Sequence, residues 1–155
     1  MNFDYICLNR HPEYSNALYQ FFQDILLEKY DQWFHPHPFT KEYTEKITTY
    51  TGKDLYYAMI SANTVIGYGM LRGWDEGYTI PSLGIAMHPQ HANKGYGKIF
   101  MGFLHFIAKA NHAPAIRLTV YITNTHAINL YSNLGYKLSE SEDGTKYIGI
   151  LDFSK

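Results

Sequence analysis

The sequence carries no surplus of charge of either sign. Thirteen Lys and Arg stand against fourteen Asp and Glu, a formal charge of −1, so no general basic field exists to hold a nucleic-acid backbone or an anionic membrane. An anion that binds here must be held locally. Cysteine is nearly absent, and Cys7 alone cannot close an internal disulfide. Long apolar runs are missing as well. Gly, Lys, His or Asn interrupts every stretch short of the roughly 20 residues that a membrane-spanning helix requires. The start Met1-Asn2-Phe3-Asp4-Tyr5 lacks the basic segment and apolar stretch of a secretory signal. Together these absences point to a cytosolic protein. With no internal repeat, low-complexity tract or charge block, a single domain over residues 1–155 suffices.

What is abundant is apolar and aromatic. Hydrophobic residues make up 46% of the chain and charged ones 17%, enough for a substantial core. Fifteen Tyr and nine Phe can wall a core or a cleft. Residues 2–8 predict a short strand. Leu18, Phe21, Phe22, Ile25 and Leu26 then recur at helical spacing behind Pro12, predicting a helix over 12–29. Trp33 to Phe39 cannot continue it, because two prolines fix their own φ and push their predecessors out of the α region; this is a stiff connector. Tyr43, Ile47 and Tyr50 suggest a second helix ending at Gly52. Runs at 55–61, 65–73 and 78–87 read as an antiparallel meander. A helix over 96–111 follows, then a strand with Ile116, Leu118, Val120 and Ile122 on one face. A short helix over 125–134 has Asn124 or Thr125 as its cap and Gly135 past its end. Two last strands flank Asp143-Gly144, a two-residue hairpin pattern. The predicted order is β-α-α-β-β-β-α-β-α-β-β. That makes the domain α+β (mixed α/β), with a mostly antiparallel sheet of seven strands.

The stretch Ser82 to Lys98 is a strand running into a glycine-containing loop that opens a helix. A helix start leaves its first N–H groups unpaired at the positive end of the helix dipole, so a wrapped loop there presents several donors to one anion. Gly95 and Gly97 would permit the wrapping through positive φ and close approach, and Lys94 and Lys98 add charge. Alternatively, the glycines only make a tight turn. Two familiar phosphate loops do not fit. A Walker loop needs Ser or Thr where Ile99 stands, and a Rossmann turn needs Gly where Phe100 stands.

A second segment, Asn124 to Tyr136, completes a pattern. It carries Asn-x-x-Ala-x-x-Leu-Tyr-x-x-x-Gly-Tyr at Asn124, Ala127, Leu130, Tyr131, Gly135 and Tyr136, while Pro89, Gly95 and Gly97 mark the loop. The pair resembles motifs B and A of the GNAT superfamily of N-acetyltransferases, over residues 80–136; the element order is similar over the whole chain. Two positions depart from the pattern: Ala92 stands where Gln or Arg is usual, and Asn93 where a Gly is usual. The resemblance implies a GNAT-like domain with acetyl-CoA as co-substrate. Strand 83–87 would splay from the parallel strand 116–122, with pantetheine lying between them like an added strand. Contacts to the coenzyme as a whole would come from Ile85, Ala86, Met87, Ala92, Asn93, Lys94, Gly95, Tyr96, Gly97, Lys98, Asn124, Asn129 and Tyr131. Gly84 would mark a bulge or a close approach of the ligand.

Acetyl transfer to an amine requires a neutral amine, a polarised carbonyl and a protonated leaving thiolate. The resemblance implies Tyr131 as the proton donor to sulfur, since its hydroxyl is neutral at pH 7; without it, Tyr131 reads as a core aromatic. Relatives often place Glu or His on the strand before the loop, but residues 79–87 hold neither. The base is then either water-borne or one of His35 and His37, with Asp75 and Glu76 read as turn carboxylates, and His88 and His91 as structural. Trp33, Phe34, His35 and His37 would meet the substrate, aromatic faces with polar tips suited to a small amphipathic amine. His35-x-His37 is half a zinc site that nothing completes, so no metal is expected. The expected activity is transfer of acetyl from acetyl-CoA to a primary amine of a small molecule, an amino sugar among the candidates. A protein or peptide amine, or a non-catalytic acyl-CoA sensor, are the alternatives. No nucleic-acid or membrane partner is expected, and a homodimer is left open.

Overall fold

Strand β3 organises the domain because it is apolar on both of its faces. In the computed structural model, which describes residues 2–154, β3 (Thr64–Arg72) is buried from Val65 to Leu71, as a strand sandwiched between two helical layers must be. Before it come β1 (Asp4–Cys7), α1 (Ser15–Leu27), α2 (Lys41–Thr48) and β2 (Leu55–Ser61). After it come β4 (Ser82–Met87), α3 (Tyr96–Ala110), β5 (Ala115–Tyr121), α4 (Thr125–Asn133), β6 (Lys137–Glu140) and β7 (Lys146–Asp152). The sheet order is β1-β2-β3-β4-β5-β7-β6, antiparallel throughout except for β4 beside β5. Element order and strand number are those that periodicity predicts.

Two cores result. On one face, Leu18, Phe21, Phe22 and Ile25 of α1 and Ile47 of α2 pack on Ala58, Tyr68 and Met70. On the other, Phe100, Met101, Leu104 and Ala108 of α3 pack on Met59, Leu71, Ile116, Leu118 and Val120. The second layer sits close because β3 offers no side chain under α3 at two positions. A Cβ at Gly67 would lie 2.9 Å from Met87 Sδ, and one at Gly69 2.8 Å from Leu104 Cδ1.

Local ends differ from expectation in instructive ways. The first helix is shorter than 12–29: Pro12–Tyr14 form a 3-10 turn ahead of α1, and Lys29 closes it at φ 60°. The strand placed over 78–87 begins at Ser82, because Gly73 and Gly77 take φ of 120° and 91° and Pro81 cannot donate to a ladder. Ile122 lies past the end of β5 and is 41% exposed. The final hairpin is not a two-residue turn. Residues 141–145 separate β6 from β7, because the Asp143 carboxylate accepts from Ser141 Oγ at 2.8 Å, Thr145 N at 3.0 Å and Thr145 Oγ1 at 2.7 Å, stabilising a wider loop. Those bonds, the Thr145 hydroxyl first, hold its carboxyl down to about 2. Asp75 anchors the 73–77 turn. It accepts from the Tyr50 hydroxyl and from Lys53 N and Asp54 N, while Asp54 Oδ1 accepts from Gly73 N and Asp75 N.

The β4–β5 contact positions the site. The strands share one ladder pair, Ser82 with Arg117, supported by Arg117 N donating to Pro81 O at 3.0 Å. Beyond it they part. β4 stays in register with β3 from Ser82 to Met87, and β5 with β7 from Ala115 to Tyr121, so each side of the split is braced by its own neighbour. Overpacking the seat of α3 should loosen this frame: Gly69→Ala is expected to cost about 1–3 kcal/mol, read as a lower urea midpoint with an unchanged slope.

Candidate active site

The loop at the open end of the split begins with an anchored histidine. His88, at the end of β4, is 6% exposed, and its backbone N donates to Ile66 O at 2.7 Å. Its ring Nδ1 accepts from Gln90 N at 3.1 Å, which puts the ring proton on Nε2, 2.7 Å from Asp24 Oδ2 of α1. The loop is thereby tied to the helical layer on the opposite side of the sheet from α3. His91 packs beside it with Nδ1 buried and unpartnered among the described residues, and burial lowers its pKa.

From Asn93 to Lys98, no backbone N–H donates a hydrogen bond among the described residues. The first helical bond of α3 comes later, from Ile99 N to Gly95 O. Asn93 at φ 61° and Gly95 at φ 84° bend the chain through left-handed geometry. Gly97 does not share that geometry. It lies in the first turn of α3, where a side chain would meet Met87 Cγ at 3.7 Å. Lys94 and Lys98 are exposed, and no acidic residue occupies the first turn of α3. The result is a concentration of free amide donors and cations, suited to phosphate.

Along the split, β4 presents Ile85, Ala86 and Met87, half-buried. Gly84 is neither bulged nor irregular. It pairs with Met70, whose Cε an added Cβ would strike, so the glycine makes room for Met70. Asn124 Oδ1 accepts from Ala127 N at 3.4 Å and caps α4; Asn129 is exposed on that helix. Tyr131 is the buried residue of α4, 8% exposed, with its ring 5.8 Å from that of Tyr136. Its hydroxyl has no hydrogen-bond partner among the described residues, and burial pushes its pKa up to about 12. Tyr96 packs edge-on to Phe3.

The two connector histidines occupy different environments. His37 Nδ1 donates to Pro38 O at 2.8 Å, which leaves Nε2 to accept from the Tyr68 hydroxyl at 3.0 Å. Its ring stacks on Tyr43 at 4.3 Å, and burial pushes its pKa down to about 4. Both nitrogens are thus engaged. His35 is exposed. Its Nδ1 donates to Asp31 O at 2.7 Å, and its Nε2 accepts from the Tyr121 hydroxyl at 3.0 Å. A cavity of about 230 Å³ lies where the split begins, walled by Trp33, Phe34 and His35 of the connector and by Ser82–Gly84 and Arg117–Tyr121 of the two strands. His37 is outside that lining. Arg72, Arg117, Tyr121 and Lys146 also line it, and sequence reasoning missed all four: each sits on a β-strand, and no spacing along the chain marks residues that only the sheet brings together.

A sheet parted between two parallel strands, with a free-amide loop at the open end and a helix-borne tyrosine, defines the GNAT fold. The chain belongs to the acetyltransferase (GNAT) family, whose model matches residues 17–136. No curated protein matches it. Among solved structures it is similar to the PaiA N-acetyltransferase of Thermoplasma acidophilum in complex with coenzyme A, with TM-score 0.78 and 17% identity over 99% of this chain and 100% of that one. It is likewise similar to the GNAT domain of S. lividans PAT, at 0.82 and 11% over 96% and 89%. A third is a putative streptothricin acetyltransferase from Bacillus anthracis in complex with acetyl coenzyme A, at 0.58 and 19% over 67% and 66%. No helix among the described residues is long and apolar enough to cross a membrane, and no group of three or more His, Cys, Asp or Glu among them is arranged to hold a metal ion.

The buried imidazoles set a pH dependence of stability. Burial pushes both His37 and His105, the latter hydrogen-bonded to the Tyr136 hydroxyl, from 6.5 to about 4. Between these values the unfolded chain takes up protons that the folded chain refuses. Stability is full above 6.5 and falls as pH drops toward 4. The melting temperature should decline across that window, and His37→Gln with His105→Gln should flatten the decline.

Proposed function

We propose that this chain is an N-acetyltransferase that uses acetyl-CoA and acetylates the primary amine of a small molecule. The observation that carries the reading is the run of six amides, Asn93 to Lys98, unpaired among the described residues, at the open end of the β4–β5 split. Two structures of similar fold were solved with coenzyme A and acetyl coenzyme A, which supports it. Acetyl-CoA supplies, when bound, a pyrophosphate handle and an activated thioester.

The amides of Asn93 to Lys98 bind the pyrophosphate, with Lys94 and Lys98 adding charge. Ala92 and Asn93 fit this role despite their side chains, because the donors are main-chain. The free edge of β4 at Ile85 and Met87 offers amide and carbonyl groups to the pantetheine arm, while Ala86, Tyr96, Asn124 and Asn129 border it. Tyr131 Oη, protonated throughout the neutral range by its raised pKa, donates a proton to the departing sulfur. At the cavity, the Tyr121 hydroxyl takes the proton lost by the amine as its own passes to His35 Nε2, along the hydrogen bond already formed. His37, with both nitrogens engaged, holds the connector that carries Trp33, Phe34 and His35.

Release of free thiol from acetyl-CoA with a panel of amines tests the activity. Tyr131→Phe should lower kcat about 100-fold while the KM for acetyl-CoA stays within twofold; normal turnover by this variant removes Tyr131 from the acid role. Coenzyme binding without thiol release from any amine would favour a sensor.

A further inference from the structure

The cavity at the start of the split is lined by cations and by no carboxylate. Arg72 of β3 is in register with Ser82 of β4, and Ser82 with Arg117 of β5. The three therefore form one row across adjacent strands, and side chains in such a row leave the same face of the sheet. With strands roughly 4.8 Å apart, the two arginine Cα atoms lie about 10 Å from each other, with the serine between them. Four residues along β5, Tyr121 projects to the same face, paired in register with Lys146, whose Nζ stands 4.9 Å over the Tyr121 ring. Arg72, Ser82, Arg117 and Lys146 all line the cavity, and its lining contains no Asp or Glu. Neither arginine forms an ion pair among the described residues, where the sole pair is His88 with Asp24. Lys146 acts on Asp143, but as the smallest of the influences on that carboxyl.

Arg72 and Arg117 are half-buried, and an arginine that lacks a counter-ion favours a bound anion. The coenzyme is not the source of that anion. The phosphate-binding amides follow Met87, whereas the row is at Ser82, five residues or about 16 Å away along β4. Resting on the acetyltransferase reading above, we propose that the acceptor carries an anionic group beside its amine. Arg72 and Arg117 grip that carboxylate or phosphate, with Ser82 donating between them, and the amine is thereby directed toward His35 and Tyr121. The same cations repel polyamines and other acceptors with only positive charge.

Matched acceptors test this: tyrosine against tyramine, and glucosamine 6-phosphate against glucosamine, each scored by thiol release. The acid-bearing member of at least one pair should be preferred by about tenfold or more in kcat/KM, the worth of one charge-assisted hydrogen bond. Which pair responds separates carboxylate from phosphate. Arg72→Gln and Arg117→Gln should each erase the preference by raising the KM of the acidic acceptor, and Arg117→Lys should restore part of it. Equal or better use of the uncharged-tail member in both pairs, or a preference surviving both Gln variants, overturns the proposal while leaving the acetyltransferase reading intact. Should no amine release thiol, that reading fails, and the cation row is judged by melting temperature. Stabilisation by tyrosine or glucosamine 6-phosphate, abolished in Arg72→Gln, sustains it; no stabilisation by either overturns it.

Discussion

Two parallel strands that begin to pair and then stop are what the rest of this protein is arranged around. A parallel pair inside a sheet ordinarily continues, because each unmade ladder bond leaves a backbone donor and acceptor unsatisfied. Here β4 and β5 meet only at Ser82 and Arg117, and the interruption survives because each strand is fully paired on its other side. The free edges are left open along the cleft. A cavity at the closed end and an amide-rich loop at the open end follow from the same geometry.

Polar side chains hold that split in place from outside. Asp24 and His88 link α1 to the residue that leaves β4. His37 locks the proline-rich connector to the fully buried Tyr68, and Asp54 and Asp75 exchange hydrogen bonds across two loops. Each is buried or capped well enough to define one conformation, so the loop and the connector approach the cleft from fixed directions. The neutral state of His37 belongs to this function, since a charged ring packed against Phe22, Phe39 and Tyr43 would lose its hydration without gaining a counter-ion.

The cleft is electrostatically divided along its length. Cations and free amides gather at Asn93 to Lys98, and a second set of cations at Arg72, Arg117 and Lys146. Between them β4 contributes apolar side chains and a polar main chain. Such a division suits two ligands entering from opposite ends, each drawn by its own anionic group, with the uncharged reacting atoms meeting in the middle.

Periodicity alone determined the element order and the α+β class, because each helix and strand buries a face of its own and its spacing shows in the chain. The loop and the capped fourth helix were legible for the same reason: the free amides of residues 93–98, the left-handed Gly95 and the Asn124 cap are local in sequence. Gly84 lacks the bulge and Gly97 the positive φ that the chain suggested, since their surroundings, Met70 and the first turn of α3, come from packing. Only the tertiary structure separated His35 from His37, two residues apart in the connector yet one at the cavity and the other hydrogen-bonded to the buried Tyr68. It alone assembled Arg72, Ser82 and Arg117, whose alignment depends on strand register. Register is decided by which apolar faces find each other across the sheet, and residues joined that way share no spacing that a linear reading could detect.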